Sequence, residues 1–366
     1  MGRMNSLRSL FATPASALLS LLLGALALWI FLGLARWALF DARWEVIYNN
    51  AQLFFLGRLP PEMAWRGWGL LAAEALLLGL GMGHLGARLG PAGLALLVLA
   101  AVVVGVVLFP HSLALPALLL AGAYALGNLA RRWGLALGLT AIGVGVVLLL
   151  PIPIQLWSGL MLSVLLAVSS MVLAFPLGLA LALAKAGRLP LLRALATGYV
   201  ELVRGVPLVS VLFLAFVTLP LFLPEGFRPP QVLRAIVGFT LFAAAYLAEN
   251  VRGGLQAVPQ GQREAAYALG LNGFHTAYYV VLPQALRAVI PAIVGQFIAL
   301  FKDTSLVVLI GLLDLLGMAQ AVLANPLYLH REREVYLFLA LVYLAVSGTF
   351  SYLGRLIERR LGVGSR

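Results

Sequence analysis

The sequence contains no cysteine, only two lysines and thirteen acidic residues in 366 positions. Without cysteine there are no disulfides, no thiol redox chemistry, no iron–sulfur clusters and no cysteine-ligated zinc. The two lysines bear on nucleotide chemistry. A phosphate-cradling P-loop needs Gly-Lys followed by Ser or Thr, whereas Lys185 precedes Ala186 and Lys302 precedes Asp303. Neither is a Walker lysine, so any ATP-driven activity places hydrolysis on another chain. The four histidines, His84, His111, His275 and His330, are far apart and none belongs to a His-Glu-x-x-His motif. No Gly-x-Ser-x-Gly elbow recommends a hydrolase. The chain reads as non-enzymatic, with no metal site and no cofactor of its own.

What is present is apolar. Hydrophobic residues make up 63% of the chain and charged residues 10%, against about 25% charged in soluble proteins. Mean hydropathy is +1.03. No charge occurs from Leu89 to Ala130 or from Trp133 to Ala184. About 20 apolar residues cross a bilayer as a helix, so each run holds two crossings. The expected fold is an all-α, polytopic membrane helical bundle of about ten spans. A net charge of +12 would suggest nucleic acid in a soluble chain. Here the basic residues sit between apolar runs, where they set orientation in membrane lipid, and no nucleic-acid partner is expected.

The first span is read from Ser16 to Ala35, longer than the h-region of a cleaved signal. The stretch Arg36 to Arg66, with Trp37, Trp44 and Trp65, reads as an interfacial or external loop. Further spans are expected at about Gly67–Leu85, Ala92–Phe109, Ser112–Ala130, Trp133–Leu150, Trp157–Ala184, Gly205–Leu223, Val232–Glu249 and Val335–Leu353. Before the last of these, Ala288 to Phe301 offers about 21 Å of uncharged helix against about 30 Å of hydrocarbon. This ninth span must therefore extend from Ala285 through Lys302-Asp303. Ten spans with both termini in the cytoplasm put sixteen Lys and Arg residues inside and eight outside, leaving Lys302 unassigned.

The segment Val251 to Arg287 is too polar for membrane and too long for a turn. Pro259-Gln260-Gly261 ends one helix, Arg263 to Leu269 suits a short helix, and Gly270 and Gly273 bracket a turn. His275 to Leu282 forms a second short helix that ends before Pro283. Two short helices joined by glycines make a rigid protrusion.

Glu264-Ala265-Ala266, then Gly270, Val280 and Leu282-Pro283 at their spacing, resemble the EAA loop of permease subunits of ATP-binding cassette importers. Val280 stands where the family usually has Ile. Glu201 to Leu208, Tyr246 to Gly254, Gln284-Ala285 and Lys302 to Leu306 are similar to the polar and general L-amino acid uptake branch. The similarity covers about 157–360. It implies a type I importer permease core over 157–366, with coupling loop 251–287, and an N-terminal helical extension of about five spans over 1–156. It also implies a translocation path in a bacterial cytoplasmic (inner) membrane, coupled through Gly261, Glu264, Ala265, Ala266, Gly270, Leu282 and Pro283 to separate ATPase subunits. The expected partners are those ATPase subunits, a second and different permease, a periplasmic or extracytoplasmic substrate-binding protein, and an amino acid substrate.

Ionisable residues within apolar spans are costly and face protein or water. Glu74, Glu249, Lys302, Asp303 and Asp314 qualify, with neutral Gln296 and Asn250. Glu249 and Arg252 sit at i,i+3, so an ion pair at the cytoplasmic mouth stands beside substrate contact as a reading. In Lys302-Asp303-Thr304-Ser305, either Asp303 or Thr304 caps a short helix Leu306 to Leu316, or Gln296, Lys302 and Asp303 line the path with Glu249. The rival function is an ion-coupled secondary transporter or channel. It calls for corresponding broken helices in two halves, and no internal repeat is evident. A non-transporting scaffold would not need the protruding loop.

Overall fold

The computed structural model describes residues 13–70 and 144–362, apart from 146, 188, 225 and 227. The described residues are helical, with one isolated bridge between Gly159 and Asp314. Helix α1 (Pro14–Arg36) opens with a capping box between Thr13 and Ser16 and buries none of its residues. The short helices α2 (Glu45–Asn49) and α3 (Ala51–Leu56) follow, and 61–70 is also helical.

Four long helices build the centre: α4 (Gly159–Ala186), α7 (Gln231–Ala257), α10 (Leu282–Asp303) and α12 (Glu332–Leu361). Between them lie α5 (Pro190–Gly205), α6 (Leu208–Phe213), α8 (Gln260–Ala268), α9 (Gly273–His275) and α11 (Leu315–Leu323). By length and composition, five helical stretches can cross a membrane: Pro14–Asp41, Gly159–Ala186, Gln231–Ala257, Gly273–Ile310 and Glu332–Leu361. They coincide with the expected first, sixth, eighth, ninth and tenth spans. The expected second to fifth spans lie wholly or largely outside the described residues, as does Glu74.

The central contact is α4 against α7. Ala174, Gly178 and Ala182 recur every four residues, so they share one face of α4, and all three are buried. Small side chains let two backbones approach closely where lipid offers no hydrophobic drive. At Gly178 the approach is limiting: a Cβ there would stand 2.7 Å from Leu247 Cβ and 2.9 Å from the Ala244 carbonyl oxygen. Ala243, Ala244, Leu247 and Ala248 supply the facing surface of α7, all fully buried.

The expected seventh span, Gly205 to Leu223, is helical from Leu208 to Phe222, with π and 3₁₀ turns beyond Phe213, and α5 joins its start at an angle of 111°. Val206 is extended because the residue before a proline avoids the helical region, and Pro207 has no N–H to continue the ladder. α5 itself was absent from the expected elements. Its signal is Pro190 at the first helical position, followed by Ala196, Val200 and Val203 on one buried face.

The stretch after Arg36 also differs from the expected interfacial loop. Ile47, Phe54 and Leu56 are fully buried and join Leu160, Phe301, Leu315 and Phe338 in one apolar cluster. This cluster joins residues on both sides of residue 156. The Arg58 N–H donates to Ser158 Oγ at 2.9 Å, and the Arg43 N–H to Glu334 Oε1 at 3.1 Å. Apolar burial and two backbone anchors fold this stretch onto the core.

Candidate functional site

The protruding segment is built from the end of α7 outward. α7 stops at Ala257, where Pro259 prevents continuation, and α8 begins at Gln260. Arg263 donates back to the Leu255 carbonyl at 3.2 Å, fixing α8 to the helix it left. Ala266 is buried, whereas Gly261, Glu264 and Ala265 are exposed. The exit from α8 is a Schellman turn: the Leu271 N–H donates to the Ala266 carbonyl at 3.1 Å and the Gly270 N–H to that of Tyr267 at 2.9 Å. Gly270 has φ +81°, a conformation that only glycine adopts at no steric cost.

Beyond the turn the structure departs from expectation. Gly273, at the far edge of the turn, opens the next helix, capped by Asn272 Oδ1, which accepts the His275 N–H at 2.9 Å. That helix does not end before Pro283. It continues as a π-helical turn, Thr276–Val281, and passes without a break into α10. A proline lacks the N–H and its ring crowds the preceding turn. The wider π turn relieves that crowding. The Gln284 side chain donates to the Val280 carbonyl at 2.8 Å and to Gln262 Oε1 at 3.3 Å, tying the second helix to α8.

The outer face of this protrusion is aromatic and exposed. Leu269 is 83% exposed and Phe274 73%, and Tyr267, Tyr278 and Tyr279 are more than half exposed. Phe274 and Tyr278 stack with centroids 6.1 Å apart, and His275 stacks on Tyr279 at 5.7 Å. Exposed apolar patches of this kind mark protein–protein or membrane interaction sites.

Glu249 lies on the loop-proximal part of α7 and gathers three cations. Lys185 Nζ donates to it at 2.5 Å, Arg252 Nη2 at 2.7 Å, and Arg204 Nη1 stands at 3.7 Å. The i,i+3 pair with Arg252 is therefore part of a wider knot joining the ends of α4 and α5 to α7. Gln296, Lys302 and Asp303 all lie on α10, Gln296 and Asp303 half-buried and Lys302 exposed. Gly254 of α7 packs on Ala285 and Val289 at the near end of α10. Lys302-Asp303 lies about 27 Å further along that helix. Glu249 and the Lys302-Asp303 pair thus occupy opposite parts of the bundle.

Neither Asp303 nor Thr304 caps a new helix with its side chain. Thr304 Oγ1 donates to the Phe301 carbonyl at 2.7 Å and Ser305 Oγ to that of Lys302 at 2.9 Å, so both hydroxyls turn back on their own helix. The helix runs on as a 3₁₀ segment, Thr304–Ile310, ending at Gly311. The capping acid is Asp314, fully buried at the start of α11, whose Oδ1 accepts the Gly317 N–H at 2.9 Å. Ser163 Oγ and Tyr343 Oη each lie 3.5 Å from its Oδ2. An acid directly before the apolar run Leu315-Leu316 is the signal for that cap. Among the described residues no group of three His, Asp or Glu side chains converges to hold a metal ion.

Residues 174–363 match the family of binding-protein-dependent transport system inner membrane components. The chain is similar to the inner membrane amino-acid ABC transporter permease protein YhdY of Escherichia coli K12, 45% identical over 208 residues, which are 57% of this chain and 57% of that protein. The glutamate/glutamine/aspartate/asparagine transport system permease protein BztC of Rhodobacter capsulatus is 41% identical over 206 residues, 56% of this chain and 48% of that protein. The chain thus spans about half the length of these two relatives. Among solved structures, an amino acid ABC transporter with histidines is 32% identical, with a TM-score of 0.50, over 55% of this chain and 92% of that one. The fold is that of type I importer permeases, and the chain belongs to the binding-protein-dependent transport system inner membrane component family.

Proposed function

We propose that this chain is a permease subunit forming the translocation path of an ATP-driven amino acid importer in a bacterial inner membrane. The observation that carries the reading is the protrusion from Gln260 to Val281, with its exposed aromatic face and its unbroken continuation into α10. A loop held this rigidly delivers a partner's movement to a membrane helix. The partner in this reading is a pair of ATPase subunits, which supply the hydrolysis that neither lysine of this chain supports. Glu264 meets a basic side chain of that partner.

A substrate-binding protein delivers the amino acid at the opposite face, and a second, different permease completes the path. Gln296, Lys302 and Asp303 line it along α10, with Glu249 nearer the loop. Both termini lie in the cytoplasm, on the side that carries the excess of Lys and Arg. No cofactor is needed on this chain.

The test is Glu264→Arg in the assembled transporter. ATP-driven uptake is expected to fall at least about tenfold, as when one partner of an interfacial ion pair is reversed, with membrane insertion unchanged. Undiminished uptake overturns the coupling role. Uptake that survives ATP depletion and follows an ion gradient would instead identify a secondary transporter or channel.

A further inference from the structure

Asp314 lies at the end of the bundle far from the loop, between the helical stretches Gly273–Ile310 and Glu332–Leu361, and has no part in the cycle proposed above. Its side chain is fully buried, and among the described residues no Lys, Arg or His forms an ion pair with it. Oδ1 caps α11 through the Gly317 N–H. Oδ2 faces the hydroxyls of Ser163 and Tyr343, each 3.5 Å away, longer than the roughly 2.5–3.0 Å of a formed O–H···O bond. Ser163 has one proton for two acceptors, Oδ2 and the Gly159 carbonyl, both at 3.5 Å. When ionised, Oδ2 is therefore a buried charge with neither a cation nor a well-formed hydrogen bond from a hydroxyl.

Of the titratable side chains on the surrounding elements, the Tyr343 phenol faces Asp314. On α4 the one titratable side chain is Lys185, at the opposite end and paired with Glu249. Helices α3 and α11 carry none. Lys302, just before the 3₁₀ segment, is exposed and acts on its neighbour Asp303. Glu334 on α12 is held by Arg331 and the Arg43 N–H. A buried carboxylate left without a cation lowers the cost of its charge by taking up a proton. Burial pushes the Asp314 carboxyl up to about 6, against the lowering effect of the α11 backbone N–H groups and the facing hydroxyls.

The same side chain sits where three helices meet. The Gly159 N–H donates to the Leu313 carbonyl at 2.8 Å and the Leu315 N–H to Ser163 Oγ at 3.2 Å. The start of α4 thus grips the chain on both sides of Asp314, while Tyr343 reaches in from α12. We propose that Asp314 is a proton-binding site that fastens α4, α11 and α12 together at the far end of the bundle. With the proton bound, Oδ2–H donates to one of the two facing hydroxyls and closes the joint. The proton comes from the adjoining water and returns to it. In the importer reading this end faces the outer medium, and acid there slows uptake, because a fastened joint resists displacement of the helical stretch that ends beside it. The site stands without that reading; its effect on uptake rests on it.

The folded chain holds this proton more tightly than an unfolded one, whose carboxyl ionises at about pH 3.9, so folding gains as pH falls through about 6. The direct test melts the full chain in phosphatidylcholine nanodiscs, wild type beside Asp314→Asn, from about pH 8 to about pH 5. The amide keeps the α11 cap and is neutral throughout. Across that interval the wild-type folding equilibrium should gain about tenfold over Asp314→Asn, read as a rise in melting temperature. Infrared difference spectra of the wild type need no variant, and a protonated carboxyl should grow in with a midpoint of about pH 6. Parallel melting curves, or no carboxyl titrating between about pH 5 and 7, overturn the site.

Uptake by the assembled transporter tests the consequence. Wild-type uptake should fall about fourfold between an outer pH of about 7.5 and about 5.5, the ratio of ionised fractions, and Asp314→Asn should be slow at both. The same ratio in both proteins overturns the control of uptake. No ATP-driven uptake at either pH defeats the importer reading and leaves the melting and infrared results to decide the proton site.

Discussion

Lys185 at the end of α4 and Glu249 on α7 meet at 2.5 Å, closing the loop-side end of the seam that Gly178 and Leu247 begin further along the same two helices. The pair is unequal in its consequences. Glu249→Ala strands three cations, whereas Lys185→Ala leaves Glu249 with Arg252. Thermal midpoints in detergent should therefore fall further for Glu249→Ala than for Lys185→Ala, by about 1–2 kcal/mol of stability. Equal shifts would mean that the knot does not act as one unit.

The α4–α7 seam makes a second, purely steric prediction. Gly178→Val forces methyl groups against Leu247 and the Ala244 carbonyl and should cost about 1–3 kcal/mol. Gly198→Ala, on α5 with open space around it, should cost nothing and gain about 0.5–1 kcal/mol from helix propensity. The yield and melting temperature of purified protein report both.

Phe274 and Leu269 project from the protrusion without burying themselves against their own chain. Phe274→Ala and Leu269→Asp should each weaken association with the ATPase subunits about tenfold, as truncation of an interface anchor does. The permease should insert and elute normally. Co-purification at graded ATPase concentrations measures the loss, and wild-type association in both variants would move the docking face elsewhere.

At the far end of α10, Lys302→Ala should alter the rate or selectivity of uptake while membrane abundance stays at the wild-type level. A drop in folded protein instead would make Lys302 a structural residue. The comparison needs only a radiolabelled uptake assay and an immunoblot of membranes.

The long spans were legible because a bilayer demands uncharged stretches of fixed length, and the described helices fall where those stretches lie. Pairing and packing were less legible. That Pro283 would be carried inside a continuous helix depends on the π turn and on Gln284, and neither has a distinctive pattern. α5 hid because its apolar face is interrupted by Arg193, Glu201 and Arg204, which read as loop charges until a cavity lined by all three is seen. Residues 45–59 read as surface because the flanking Trp44 and Trp65 and the charges of Glu45 and Arg58 drew attention from Ile47, Phe54 and Leu56, whose burial depends on partners about 100 or more residues away. Within the candidate site, the short helix before Gly270 and the turn at that glycine were legible, whereas the continuation through Pro283 was not. The convergence of Lys185 and Arg204 on Glu249 was not legible either, because it joins three helices distant in sequence.

The stretch from Gly273 to Ile310 is 38 residues long and carries no bend sharp enough to divide it. At helical rise it is a strut on the order of 55 Å. Its tip bears Phe274 and its far end lies beside the Asp314 knot. A strut of that kind has no slack. A tilt of a few degrees applied at Phe274 becomes a displacement of several ångströms at Ile310, reached in a single mechanical step. Its regular hydrogen bonding is interrupted at the π turn before Pro283, next to where the load enters, at Pro291 within α10, and in the 3₁₀ turns from Thr304 to Ile310.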